Sequence, residues 1–134
     1  MPRRTTEPLW LTRTVVDAIH TDQIREHGGL LGVRDENALE AALARPRQKW
    51  TYETKTDLAD LGAAYAFGFA RSHPCNDGNK RVALLTMLTF VSINGDDVDA
   101  DDHDVLMTML ALAAGRLTEL ELATWLRGHL RSIE

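Results

Sequence analysis

The residues best suited to chemistry lie together in the middle of the chain, in segment 73–81, which reads His-Pro-Cys-Asn-Asp-Gly-Asn-Lys-Arg. An unperturbed histidine has a pKa of about 6.5, so His73 is a candidate general base near neutral pH. Asp77 offers hard carboxylate oxygens of the kind that Mg²⁺ binds. Arg81 can hold a phosphate through two hydrogen bonds, while Lys80 adds a point charge. These groups together predict a site for a phosphate-containing ligand.

The flanking sequence predicts that this segment joins two helices. Pro74 disfavours helical geometry at His73, so one apolar helix is expected to end there and a second to begin near Asn79. A helix N-terminus carries unpaired N–H groups and a partial positive charge, and Gly78 lets the backbone approach an anion closely. Spacing alone leaves an alternative open, in which the segment is a solvated loop and Asp77 pairs with Arg81.

Apolar periodicity and capping residues predict an all-α protein, a compact bundle of about six helices. The predicted helices span residues 12–27, 36–45, about 57–73, about 79–94, about 102–114 and about 118 to the C-terminus, with Thr12, Asp35, Asp57 and Thr118 as N-caps. The third and fourth helices are apolar nearly all round and are therefore expected to be buried. The histidines outside segment 73–81, which are His20, His27, His103 and His129, are predicted to be solvated.

Three further segments lack a clear helical period. Residues 1–11 are predicted to form a loose arm. Between residues 46 and 56, Trp50 and Tyr52 alternate with polar neighbours, which indicates either a short extended flap or a surface loop that covers the core. The six aspartates between residues 96 and 104 do not match a calcium loop, so they are expected to cap the fifth helix.

Length and composition indicate one globular domain over residues 1–134. The net charge of −5 argues against a general nucleic-acid binder, and no apolar stretch approaches the roughly 20 residues that a membrane helix needs. The N-terminus lacks the apolar run of a secretory signal. Cys75 is the sole cysteine, which excludes an internal disulfide, disfavours structural zinc and suits the cytoplasm.

The pattern His-Pro-x-x-Asp-Gly-Asn-Lys-Arg resembles the signature of the Fic/Doc superfamily in its death-on-curing (Doc) form. The resemblance extends over most of the chain, through Gly28-Gly29-Leu30, residues 32–35, residues 39–46, residues 63–68 and residues 112–115. It implies an all-helical Fic fold that transfers a group from ATP to a protein hydroxyl. By matching position, it implies that His73 is the catalytic base and Asp77 the Mg²⁺ ligand, and that the phosphate-binding turn consists of Gly78, Asn79, Lys80 and Arg81.

The resemblance also implies a reaction and partners. Lys80 stands where AMP-transferring relatives usually have a glycine, and a lysine would crowd the anion-binding nest. A Doc-type toxin kinase is therefore expected, which phosphorylates a Ser or Thr of a translation factor such as elongation factor Tu and halts translation. The resemblance implies a separately encoded antitoxin as its partner. No Ser or Thr is followed four positions later by the Glu of self-inhibited relatives, so inhibition by a second protein is expected.

Two alternatives remain open within the resemblance. One is AMP transfer. The other is a Fic-fold binding protein with weak catalysis, because Cys75 occupies the position of the family's phenylalanine, whose ring would anchor the loop in the core. Replacing a core Phe by a small residue typically costs about 3–5 kcal/mol, so a less rigid loop is expected.

Overall fold

The computed structural model describes residues 6–133. In this range the elements are α1 (Arg13–His27), α2 (Glu36–Tyr52), α3 (Leu58–Ser72), α4 (Asn79–Ile93), β1 (Asp96–Val98), α5 (Asp102–Ala113), α6 (Glu119–His129) and β2 (Leu130–Ser132). The predicted all-α bundle is confirmed, and the small sheet is an addition to it. None of the helices in the described range is both long enough and apolar enough to be a membrane span.

α3 is the central element and packs against α2, α4 and α6. Ten of its fifteen residues are buried, as its nearly all-round apolar sequence predicts. The ring of Tyr65 meets that of Phe90 in α4 with centroids 5.0 Å apart. Three residues further along α3, a Cβ added at Gly68 would lie 3.2 Å from the Cα of Ala42 in α2. Gly68 therefore lets the two backbones approach closely.

Local capping residues decide where the helices begin. The side chains of Thr12, Asp35, Asp57 and Thr118 each accept a hydrogen bond from a backbone N–H in the first turn of the following helix. Each such cap typically stabilises a helix by about 1 kcal/mol, and all four were predicted. Thr118 forms the expected capping box with Glu121. The predicted helix starts are confirmed because they depend on contacts within four residues.

α2 contradicts the prediction that Pro46 ends it. The helix continues to Tyr52, so both alternatives predicted for residues 46–56, the extended flap and the surface loop, are wrong for residues 46–52. A proline inside a helix typically costs about 3 kcal/mol, because it lacks an N–H and crowds the preceding turn. Contacts at the end of the helix offset this penalty: Trp50 packs edge-on against Trp10 at 6.5 Å, and Lys49 lies 3.5 Å from a carboxylate oxygen of Glu119.

The N-terminal arm is also more ordered than predicted. Within residues 6–11, Trp10 stacks on Phe90 with ring centroids 5.9 Å apart, and Leu11 is buried in the core. The arm is therefore part of the packed bundle at Trp10 and Leu11, which bury apolar surface there, whereas Leu9 is exposed. Residues 1–5 lie outside the described range.

The sheet replaces the predicted end of the sixth helix, which stops at His129. β2 pairs with β1 in antiparallel register, with Asp97 opposite Arg131. Arg131 lies 3.4 Å from Asp97 and 3.8 Å from Asp99, so part of the acidic run forms ion pairs across the sheet. Asp101 caps α5, as predicted for this run. The strand pairing joins segments distant in sequence, so local periodicity does not indicate it.

Candidate active site

A cavity of about 1040 Å³ opens between segment 73–81 and the facing sides of α4 and α5. Its polar end is lined by His73, Asn76, Asp77, Gly78, Asn79, Lys80 and Arg81. Its apolar wall is lined by Leu84, Leu88, Val105, Leu106, Met109 and Leu110. All the residues predicted for catalysis, metal binding and phosphate binding therefore face one cavity.

His73 lies one residue beyond α3 in a left-handed backbone conformation, with φ 48°. It is the only non-glycine residue with positive φ in the described range, and this conformation typically costs about 1–2 kcal/mol. Arg34 holds it in place. The guanidinium donates to the His73 carbonyl from Nε at 2.9 Å and from Nη2 at 2.6 Å, and to the Ser72 carbonyl at 3.0 Å. Arg34 thereby fixes the backbone that carries the exposed imidazole.

Cys75 is buried, and its backbone is held on two sides. It forms an antiparallel bridge with Val33. The side-chain amide of Asn79 accepts from the Cys75 N–H at 2.9 Å and donates to the Cys75 carbonyl at 3.0 Å. These contacts anchor the loop through its backbone, in place of the phenylalanine ring. Because the Asn79 side chain is engaged there, its backbone N–H is the group that remains for a phosphate.

The buried thiol itself is not a reactive group. Burial raises the pKa of Cys75 to about 11, so the thiol is protonated at neutral pH. It packs as a small apolar side chain with 1% of its surface exposed.

The carboxylate of Asp77 is positioned by the segment that follows α1. Its Oδ2 accepts a hydrogen bond from the backbone N–H of Leu30 at 2.7 Å. A Cβ added at Gly29 would lie 3.0 Å from the Cβ of Asp77, so this close approach requires glycine, as does the φ of +115°. Asp77 is thus held by Leu30, and within residues 6–133 it does not form the ion pair with Arg81 that the solvated-loop alternative required.

His20 contradicts the prediction that it is solvated. Only 5% of its surface is exposed, and its Nε2 lies 3.1 Å from the backbone carbonyl oxygen of Asp77. The reason is its position one turn after the buried Val16, on the face of α1 that packs against α4. Of the other histidines, His27 and His103 are exposed as predicted, and His129 is partly buried.

The N-terminus of α4 is arranged to hold an anion. The helix begins after Gly78, which has φ 80°, and no side chain caps it. The first N–H groups of a helix have no intrahelical partner and carry a partial positive charge. Lys80 and Arg81 are exposed next to them, and in the described part of the chain neither forms an ion pair with a carboxylate. These groups together can bind a phosphate.

The donor set fits a metal that is bound together with a nucleotide. Among the described residues there is no group of three or more His, Cys, Asp and Glu side chains able to hold a metal ion by themselves. Asp77 uses one carboxylate oxygen for Leu30 and has a second. Mg²⁺ is usually bound by one or two carboxylates with waters and phosphate oxygens, and the second oxygen of Asp77 fits such a metal.

Comparison with known proteins identifies the family. The sequence profile of the Fic/DOC family matches residues 10–91, which include α1, α2, α3, segment 73–81 and α4 as far as Val91. The chain is 36% identical over 110 residues to "Protein kinase doc" of Escherichia phage P1, covering 82% of this chain and 86% of that protein. It is 40% identical over 89 residues to "Toxin Doc" of Mycolicibacterium smegmatis, covering 63% of this chain and 68% of that protein.

The chain belongs to the Fic/DOC family. Membership confirms the resemblance that segment 73–81 indicated. The family match covers α1 and α3 and extends into α4 as far as Val91.

Three supports of this Fic/DOC site were not predicted, and they are His20, the backbone of Leu30 and the guanidinium of Arg34. All three precede segment 73–81 by about forty residues or more in sequence. The glycines around Leu30 were the only local signal, since they indicate unusual backbone geometry without naming a partner.

Proposed function

We propose that this member of the Fic/DOC family is a Doc-like toxin and an ATP-dependent protein kinase. It transfers phosphate to a Ser or Thr hydroxyl of a translation factor similar to elongation factor Tu, and so halts translation. The observation that supports this most directly is that His73, Asp77 and the uncapped N-terminus of α4 face one cavity. The names of two similar proteins, "Protein kinase doc" and "Toxin Doc", agree with it.

His73 acts as the general base in the proposed reaction. Its imidazole accepts the proton of the target hydroxyl while the hydroxyl oxygen forms a bond to the γ-phosphorus of ATP. The bond from that phosphorus to the β,γ-bridging oxygen breaks, and ADP leaves. Arg34 keeps the base in position, because it binds the carbonyl of His73 and of the residue before it.

The N–H groups at the start of α4 hold the phosphate oxygens, together with Lys80 and Arg81. Asp77 would bind Mg²⁺, which neutralises negative charge on the phosphates when it is present. Lys80 favours phosphate transfer over AMP transfer, because its side chain occupies the position where a second glycine would leave the anion site more open.

The proposed antitoxin binds the apolar part of the same cavity. Leu106 and Leu110 of α5 are 55% and 37% exposed, and they face Leu84 and Leu88 of α4 across the groove. An amphipathic helix places apolar side chains into a groove of this kind at a spacing of three and four residues. A disordered antitoxin segment that folds there would also cover the polar end of the cavity.

The reaction is tested with ATP labelled separately at its α and γ phosphates, incubated with the purified chain, Mg²⁺ and elongation factor Tu. We expect label from the γ position alone on the target. The His73→Ala variant should be slower by about 10²- to 10⁴-fold, the usual contribution of general-base catalysis. His27→Ala, which removes an exposed histidine outside the cavity, is the matched control and should leave the rate unchanged.

Label from the α position would indicate AMP transfer. No label from either position on any protein of a cell lysate would favour the binding protein with weak catalysis. Expression of the chain alone and with its neighbouring reading frame tests the partner: we expect growth arrest alone, and growth with a co-purifying complex when the two are combined.

A further inference from the structure

We propose that His20 is a positioning residue of the active site, which holds the peptide between Asp77 and Gly78 in one orientation. The inference rests on the proposed function, in which this peptide joins the metal ligand to the phosphate-binding turn. It concerns a residue from α1, outside segment 73–81. His20 is 5% exposed, and its Nε2 lies 3.1 Å from the Asp77 carbonyl oxygen.

The direction of this hydrogen bond follows from its chemistry. A carbonyl oxygen can only accept, so Nε2 of His20 carries the hydrogen and donates it to Asp77. The peptide group is planar and trans, so its carbonyl and the following N–H point in opposite directions. When His20 binds the carbonyl, it therefore also determines where the N–H of Gly78 points. Gly78 is the N-cap of α4 and lines the cavity.

This peptide needs an external constraint, because glycine permits several backbone conformations. Gly78 has φ 80°, a region that glycine enters about as readily as negative φ, so the peptide before it can rotate at little steric cost. α1 restricts this freedom by direct packing. A Cβ at Gly78 would lie 3.5 Å from the Cδ1 of Ile24 and 3.9 Å from the Cδ2 of His20.

Asp77 is consequently held at both ends. Its main chain is bound by His20 and its carboxylate by the backbone N–H of Leu30 at 2.7 Å. In the first contact the group that binds Asp77 is a side chain, so a substitution at His20 can remove it without changing Asp77 itself. Loss of it should disorder the turn while the α3 core stays intact.

The test compares His20→Met, which keeps an apolar chain of similar length without a donor, with His20→Gln, whose amide can donate from about the position of Nε2. His129→Met is the matched control. The Nδ1 of His129 lies 2.7 Å from the Trp125 carbonyl, so this variant removes a histidine-to-carbonyl contact that is not part of the cavity.

Two measurements are made on each protein. Amide hydrogen exchange of the free protein should be faster at residues 77–82 in His20→Met, near wild type in His20→Gln, and unchanged there in His129→Met. The Kd for ATP with Mg²⁺ should rise about 10-fold in His20→Met, the effect expected when one buried hydrogen bond is not made.

The outcomes separate this inference from the proposed function. Unchanged exchange at residues 77–82 in both folded His20 variants overturns the role of His20, whatever the nucleotide result. Faster exchange in His20→Met and protection in His20→Gln support that role even if the wild type fails to bind ATP, a result that would instead count against the kinase. If His20→Met does not fold, hydrogen exchange at residues 77–82 is compared between His20→Gln and His20→Asn. Faster exchange in the Asn variant alone supports the role of His20. Equal exchange rates in the two variants overturn it.

Discussion

α3 and α5 are both apolar helices next to the candidate active site, yet they are buried to very different degrees. Ten of the fifteen residues of α3 are buried, whereas two of the twelve residues of α5 are. α3 is enclosed by α2, α4 and α6. α5 instead exposes Leu106 and Leu110, which line the cavity, and also exposes Met107.

This difference indicates that the two helices have different roles, one in positioning the candidate base and the other in binding a partner. The enclosed helix ends at Ser72, so the candidate base His73 directly follows the helix with the most buried residues in the described range. A strained backbone conformation such as that of His73 persists only where its surroundings are rigid enough to hold it. The open helix leaves apolar surface accessible on the other side of the cavity, where a partner can bind. We expect substitutions in α3 to act on stability, and substitutions in the groove of α5 to act on binding.

The largest loss of stability is expected from Phe69→Ala in α3. The ring of Phe69 is completely buried, and removal of a buried Phe side chain typically costs about 3–5 kcal/mol. The free energy of unfolding from urea titrations measures the loss. A small domain has about 5–15 kcal/mol in total, so the variant should be marginally stable. A loss below about 1 kcal/mol would contradict the central role of α3.

The next effect concerns Asp57, which caps α3 and binds Arg127 of α6 at 2.7 Å. Burial raises the pKa of the Asp57 carboxyl, but hydrogen bonds from Arg127 and Asp60 outweigh it and leave this pKa below its ordinary value. A carboxyl with a lowered folded-state pKa stabilises the protein above its unfolded pKa of about 3.9. That contribution is lost as the pH falls through the folded-state value.

Asp57→Asn keeps a cap acceptor and removes the charge, so it isolates this ion pair. We expect a loss of about 1–3 kcal/mol at pH 7, limited because Asp60 still lies 2.8 Å from Arg127. The difference from wild type should shrink in urea titrations at pH 3. An equal loss at both pH values would mean that packing, rather than charge, is responsible.

A smaller effect is expected where α3 and α2 are in close contact. In Gly68→Ala, the new methyl group would lie 3.2 Å from Ala42, so one helix must move and about 1–2 kcal/mol should be lost. Gly128→Ala in α6 is the matched control, because a Cβ there meets nothing within 4 Å. It should be neutral or stabilising by up to about 1 kcal/mol, since alanine favours helix. Equal effects of the two variants would refute close packing at Gly68.

The smallest change in stability is expected from Leu106→Ser in α5. Its side chain is already more than half exposed, so the free energy of unfolding should change by less than about 0.5 kcal/mol. If the antitoxin occupies the groove, its Kd should nevertheless rise about 10-fold or more, the effect of losing one buried leucine from an interface. Titration calorimetry with the purified antitoxin measures this. Unchanged affinity would mean that the antitoxin binds another surface.

The starts of the helices and the chemical identity of segment 73–81 were predictable from the sequence. Thr12, Asp35, Asp57 and Thr118 act on N–H groups a few residues away, so each signal is complete in a short stretch. Pro74 likewise acts on the residue before it, and α3 ends as predicted. The grouping of the candidate base, the candidate metal ligand and the two cations was predictable for the same reason, because nine consecutive residues contain them all.

Only the tertiary structure decided the features that depend on partners distant in sequence. α2 passes through Pro46 because Trp50 and Lys49 find contacts on other elements, and β2 exists because β1 lies beside it. The hydrogen bonds that position segment 73–81 also depend on distant partners. His20 and Asp77 are 57 positions apart, and Arg34 and His73 are 39 positions apart. A side chain that can form hydrogen bonds has many possible partners in the sequence. Its actual partner is decided when α1 and the segment after it pack against the bundle.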